Sequence, residues 1–253
     1  MYSIASSAFI LDSVKLALYV SCAYLALSAY ARHAQTPWLL ALASRRLAVL
    51  ALLTLLVVGT KVFEDVIAKE SGPIDTAILW FIRDNMPPAL VGFFTVVTLS
   101  GAGKFLAPAT LVLSGWFFVT RHRREAVLLA ASMVSAWLVT YTLKTLVDRA
   151  RPELWSTAWY WGSSFPSGHT LSTAAFATAL TLGTARIWPR SRYAALPLAV
   201  LWISLVGLSR LVLGVHWPSD VLAAVCLGVF IPLAISLAIS MILDLHQHRL
   251  ANS

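Results

Sequence analysis

A chain of 253 residues that is 59% hydrophobic and 12% charged, with a mean hydropathy of +0.78, is too apolar for a soluble domain of its length and reads as a polytopic membrane protein. The net charge of +8 would suit nucleic acid, but Lys and Arg stand in short clusters between apolar runs rather than along one amphipathic face, so nucleic acid is not expected as a partner. The basic clusters are better explained as topology signals.

Crossing a hydrocarbon core of about 30 Å takes roughly 20 apolar residues in a helix. Runs near that length lie at 13–31, 47–67, 104–120, 125–147, 168–187, 194–212 and 218–243, which predicts an all-α bundle of seven spans in a single integral membrane domain, 1–253. The first run is flanked by Asp12 and Lys15, and the ten residues before it lack the basic start of a cleavable signal peptide. Between the second and third runs, 68–103 forms an outer segment. Pro73-Ile74-Asp75 opens a predicted interfacial helix with Ile78, Leu79 and Ile82 on one face, ending before Pro87-Pro88. Gly101-Ala102-Gly103-Lys104 has the wrong spacing for a P-loop and follows no strand, so it is expected to be a helix-start turn.

Orientation follows from the basic residues. Arg32, Arg45, Arg46, Arg121, Arg123, Arg124, Arg186, Arg190, Arg192 and Arg249 fall on one side of the seven-span topology, ten of the nineteen Lys and Arg. The positive-inside rule makes that side cytoplasmic and the N-terminus external. Spans five and six form a hairpin through Trp188 to Tyr193. The outer ends of spans four to seven therefore meet on the extracytoplasmic side.

Those ends carry the polar patterns. Lys144 precedes Arg151-Pro152, Pro166-Ser167-Gly168-His169 opens the fifth span, and Ser209-Arg210 is followed by His216 and Asp220. Arg151 and Arg210 offer planar forks that suit phosphate oxygens, and Lys144 adds a point charge. Any one of the three alone would be read as a cation snorkelling at a helix end; the ordered set points to a phosphoryl cradle. Ser167 can cap the fifth span and donate its hydroxyl to phosphate, while Gly168 lets the backbone approach closely. A plain helix cap would explain Pro-Ser-Gly but not His169, whose ordinary pKa of about 6.5 suits the acid that protonates a leaving oxygen. His216 and Asp220 are four apart, so a helical turn beginning at Pro218 brings the carboxylate back to the imidazole. Asp220 would then hold the tautomer and leave the other ring nitrogen to attack phosphorus. A metal site is the rival for a His and carboxylate pair. Three cations around one position repel a divalent ion, and Cys22 and Cys226 are mid-span, so neither metal nor cofactor is expected.

Taken together, these residues resemble the tripartite signature of the type 2 phosphatidic acid phosphatases (PAP2). The likeness covers 104–243. It implies a six-helix core with 13–31 as an additional span, and metal-independent lipid phosphatase activity. It assigns the nucleophile to His216, its orienting carboxylate to Asp220, the acid to His169, and phosphate binding to Lys144, Arg151, Ser167, Gly168 and Arg210.

The function expected is hydrolysis of the terminal phosphate of a membrane lipid, such as undecaprenyl diphosphate, phosphatidylglycerol phosphate or phosphatidate, through a phosphohistidine, at the outer face of a bacterial inner membrane. Two alternatives keep the same helices. One passes the phosphoryl group to a lipid acceptor, and the other is a non-catalytic scaffold. The aromatic loop 153–165, with Trp155, Trp159, Tyr160 and Trp161, reads as an interfacial belt bordering the route of a lipid phosphate.

Overall fold

A computed structural model describes residues 2–34, 36, 39, 42, 44–155, 157 and 162–251, with side chains from 14 to 246. The expected aromatics Trp159, Tyr160 and Trp161 lie outside the described residues. Among those residues the chain is helical, without strands: α1 (Tyr2–Ala34), α2 (Arg46–Ile67), α3 (Gly72–Asn85), α4 (Pro88–Leu99), α5 (Gly103–Val119), α6 (Arg123–Val147), α7 (Gly168–Ile187), a short 3-10 turn (Pro189–Ser191), α8 (Arg192–Val212) and α9 (Pro218–Ala251). The chain falls into two compact units, residues 1–61 with 237–253, and residues 62–236. In the first, Arg45 Nη2 meets Asp244 Oδ2 at 2.6 Å, a part-exposed pair of small energetic weight. The second unit holds every residue of the three polar patterns.

A helix forms at each of the seven expected positions, but not every one has a lipid-facing composition. Five helical stretches are long and apolar enough to cross a membrane: Val14–Ala34, Arg46–Ile67, Arg123–Val147, Pro189–Val212 and Pro218–His246. A sixth is obtained when α4 and α5, bent by 42°, are counted as one broken span. The expectation of seven apolar spans is corrected at two places. Helix α5 has only 17 residues and draws on α4, which the sequence reading did not foresee. Helix α7 forms over 168–187 as expected but is too rich in Thr, Ser, Gly and Ala to qualify by apolarity. Its position supplies the reason. It packs against α5, α6 and α8, burying Thr170, Leu171, Thr173, Ala174 and Ala175, so it meets protein rather than lipid and needs small side chains more than greasy ones.

The close packing is visible at two glycines. A Cβ on Gly228 would lie 2.6 Å from Ala174 Cβ and from the Leu171 carbonyl, so α9 lies directly on α7. At Gly101, between α4 and α5, a Cβ would fall 2.7 Å from Val206 Cγ1 and 2.8 Å from Thr173 Oγ1. Two apolar clusters flank α7, one of Ala136, Leu171, Ala175, Ala224 and Ile231, the other of Ala174, Ala177, Ala199 and Ile203.

Helix starts follow the chemistry of their first residues. Prolines stand in the first turns of α3, α4 and α9, where a missing N–H is no loss. Helix α6 ends at Asp148, which takes the left-handed conformation at φ 42° and donates its N–H to the Lys144 carbonyl. That reversal turns the chain at Arg149 toward Ser163, whose Oγ accepts from the Arg149 N–H at 2.9 Å. In α3 the buried residues are Asp75 and Leu79, whereas Ile78, from the expected apolar face, is exposed. The inward face is set by the Asp75 carboxylate, not by aliphatic periodicity.

Candidate active site

The ends of α6, α7, α8 and α9 place the expected residues around one point. Lys144, in the last turn of α6, directs its ammonium at the Ser163 carbonyl. Arg151 donates to the Val215 carbonyl at 2.7 Å and the Gly162 carbonyl at 3.2 Å, and its Nη1 lies 3.4 Å from His216 Nε2. Arg210, 1% exposed in the last turn of α8, donates from Nη1 to Thr98 Oγ1 at 2.6 Å. His169, in the first turn of α7, lies within electrostatic range of Arg210, His216, Arg151 and Lys144. Gly168 leaves only narrow clearance, since a Cβ there would come within 3.3 Å of Thr140 Cγ2.

His216 sits between a carboxylate and a cation. After α8, Gly214 turns the chain at φ 65° and Val215 donates its N–H back to the Arg210 carbonyl, which presents the imidazole just before α9 begins. Its Nδ1 faces Asp220 Oδ2 at 3.4 Å and its Nε2 faces Arg151. The Asp220 contact is an electrostatic one rather than a well-formed hydrogen bond at that separation. Burial is the main influence on the imidazole and pushes its pKa down to about 4, with Asp220 opposing and Arg210 and Arg151 reinforcing the shift.

Asp220 is fully buried and well supplied with donors. Its Oδ2 accepts from Ser164 Oγ and from the Trp217 N–H, each at 2.8 Å, and its Oδ1 accepts from Arg149 Nη1 at 2.7 Å. Arg149 reaches further, donating to Ser219 Oγ at 2.8 Å, to Ser71 Oγ at 3.1 Å and to Asp75 Oδ2 at 2.8 Å. The fork of one arginine therefore joins two buried carboxylates.

The serine of the second pattern behaves differently from expectation. Ser167 stands at the N-cap of α7 but makes no side-chain cap; its hydroxyl pairs with Thr170 Oγ1 at 3.0 Å. The neighbouring hydroxyl one turn on competes for it. Its backbone N–H instead donates to the Asp220 carbonyl at 3.3 Å, tying α7 to α9 beside the site.

All eight expected residues converge, and four others join them that sequence reasoning did not single out: Arg149, Asp75, Ser164 and Thr98. Arg149 lies inside the first pattern, two residues before Arg151, which was the available signal. Asp75 and Thr98 come from the outer segment and carry no motif. Among the described residues, no group of three or more His, Cys, Asp or Glu is arranged to hold a metal ion.

The family comparison matches residues 125–243 to the PAP2 superfamily. That match spans just under half of the chain. Over 122 residues it is 38% identical to decaprenylphosphoryl-5-phosphoribose phosphatase of Mycobacterium tuberculosis, covering 47% of this chain and 63% of that protein, which is just under two thirds. It is 28% identical over 147 residues to phosphatidylglycerophosphatase B of Bacillus subtilis, covering 57% and 72%. The fold resembles the crystal structure of a transmembrane PAP2 type phosphatidylglycerolphosphate phosphatase from Bacillus subtilis, with a TM-score of 0.63 and 24% identity over 70% of this chain and 94% of that one. The matched region holds Lys144 to Asp220, Arg149 among them, whereas Asp75 and Thr98 precede it.

Proposed function

We propose that this protein is a lipid phosphate phosphatase that works without a metal, through a phosphohistidine formed on His216. The observation that carries the reading is the placement of His216, with Nδ1 toward a fixed carboxylate and Nε2 toward the cations. Nε2 attacks the terminal phosphorus, the bond from phosphorus to the lipid-side oxygen breaks, and His169 gives that oxygen its proton. His169 then takes a proton from water, whose oxygen attacks phosphorus and releases inorganic phosphate and His216. Lys144, Arg151, Arg210 and the Gly168 backbone meet the equatorial charge, a preorganised donor set of the kind that lowers such barriers by several kcal/mol.

A membrane lipid is the substrate the setting favours, because the site lies at the ends of apolar helices and the relatives are named for phosphates on lipids. The opposite ends of these helices carry Arg121, Arg123, Arg124, Arg190 and Arg192, which supports a cytoplasmic assignment there and an outward-facing site in a bacterial inner membrane.

The test is inorganic phosphate release by the purified protein in detergent with a chelator, across undecaprenyl diphosphate, phosphatidylglycerol phosphate and phosphatidate. Release that His216→Ala abolishes supports the reading and ranks the substrates. Absence of release above that variant on all three overturns it, and phosphate found on an added lipid acceptor points to transfer instead of hydrolysis.

A further inference from the structure

Helix α3 lies outside the matched region and carries none of the three patterns, yet it touches the site through two contacts. In its first turn, Asp75 is 2% exposed and accepts three hydrogen bonds: the Ser219 N–H at 2.9 Å, Ser219 Oγ at 2.6 Å and Arg149 Nη2 at 2.8 Å. Two turns on, Arg83 stands over the Trp155 ring at 4.7 Å and Trp80 meets the same ring at 5.6 Å. The Trp155 ring in turn fills the space beside Gly214, where a Cβ would come within 2.7 Å of it.

We propose that α3 is a strap that positions the His216 and Asp220 pair, with Asp75 and Arg149 as positioning residues for the attack. The inference rests on the phosphohistidine reading and deepens it. A buried carboxylate and guanidinium are a costly way to anchor a helix that Leu79 could seat by apolar contact alone. Their geometry accounts for the choice. Asp75 and Ser71 take Nη2 of Arg149, so its Nη1 is held toward Asp220 Oδ1 and Ser219. With Oδ1 engaged and Ser164 and Trp217 also holding Oδ2, the Asp220 carboxylate has one orientation, in which Oδ2 faces His216 Nδ1. Asp75 also matches the charge of Arg149, leaving Asp220 its full pull on the imidazole. Trp155 closes the turn that presents His216 from the other side.

The test compares Asp75→Asn, Asp75→Glu, Arg149→Lys and the milder Ser219→Ala with the parent protein, on whichever of the three lipids it hydrolyses fastest. It measures kcat, KM, the inhibition constant of inorganic phosphate and thermal unfolding in the same detergent. Asp75→Asn and Arg149→Lys should lower kcat about 10- to 100-fold, as loss of an outer partner of a reacting group does. Phosphate inhibition should stay within about threefold of the parent, because the cradle is untouched, and Asp75→Glu should recover most of kcat. Should the two stronger variants fail to fold, Ser219→Ala carries the test, with an expected fall in kcat of about three- to tenfold at unchanged phosphate inhibition. An active parent with an inactive His216→Ala keeps the functional reading intact. In that setting, variants that keep kcat, or that lose kcat, phosphate inhibition and thermal stability together, overturn the strap alone.

Discussion

Two charge clusters sit at opposite ends of the same helices, and they differ in composition. At one end Arg186, near the end of α7, meets Glu125 Oε1 at 3.2 Å in the first turn of α6 and donates to Ser236 Oγ of α9 at 2.9 Å. This is one cation and one carboxylate pinning three helices. At the other end Lys144, Arg149, Arg151 and Arg210 share the neighbourhood with two carboxylates, Asp75 and Asp220, both committed to Arg149. A matched pair is a strut, while several cations converging beside a histidine are what the proposed phosphate site requires.

The widest separation between the two ends should appear on removing the histidine. His216→Ala is expected to lower phosphate release by at least about 10⁴-fold, with thermal unfolding little changed, since in the proposed mechanism the lost group is the reacting one. No variant at the Glu125 and Arg186 pair should approach that loss. A retained rate in His216→Ala would make the cation-rich end another strut.

Replacing one arginine at each end sharpens the contrast. Arg210→Ala should cost about 10²- to 10³-fold in kcat/KM, as removal of one preorganised donor does. Arg186→Ala should leave kcat/KM near the parent value and lower unfolding stability by about 1–3 kcal/mol, because Glu125 is left 7% exposed without its partner. The partial exposure of Arg186, at 29%, keeps that figure below the full cost of a severed interior pair. Equal activity losses at the two ends would erase the distinction.

His169→Ala tests a finer point within the active end. An acid that protonates the departing oxygen matters most when that oxygen leaves poorly, so the variant should lose about 10²- to 10⁴-fold on a lipid phosphate and much less on a nitrophenyl phosphate. Losses of the same size on both substrates would remove the acid role and leave His169 as a structural neighbour of the cradle.

The contrast between the ends also explains what the sequence made legible. Lys144, Arg151, His169, Arg210, His216 and Asp220 stand out because a charged residue inside an apolar run is expensive and therefore conspicuous. The helical regions were legible for the same reason, as long apolar stretches. Helix α7 was legible too, over 168–187, but it is less apolar than the others because a helix surrounded by protein needs small side chains. The strap was hidden by distance: Asp75 and Arg149 are 74 residues apart and meet only after α3 to α6 have packed. Asp75 also looked like an ordinary acidic residue in a helix first turn, where the dipole alone would explain it. Thr98 was invisible for a different reason. A threonine in an apolar helix usually bonds to its own backbone, and nothing local marks the one that meets Arg210 across 112 residues of chain.

The smallest effect expected is on pH, and it bears on burial as the cause of the imidazole's state. In the proposed mechanism neutral His216 is the form that attacks. Burial disfavours the charged imidazole and pushes its pKa from about 6.5 down to about 4, so the nucleophile stays neutral as pH falls from 7 to 5 and is lost only as pH passes through about 4. The acid limb of kcat/KM that belongs to the free enzyme should therefore lie near 4. Phosphate ionisation of the substrate contributes its own limb at higher pH, and measuring two substrates with different second ionisations separates the two, since only the enzyme's limb stays fixed. A fixed limb near 6.5 on both substrates would mean that water reaches His216 as freely as it reaches an exposed histidine. The cation-rich end would then lack the dry surroundings on which its difference from the Glu125 and Arg186 strut depends.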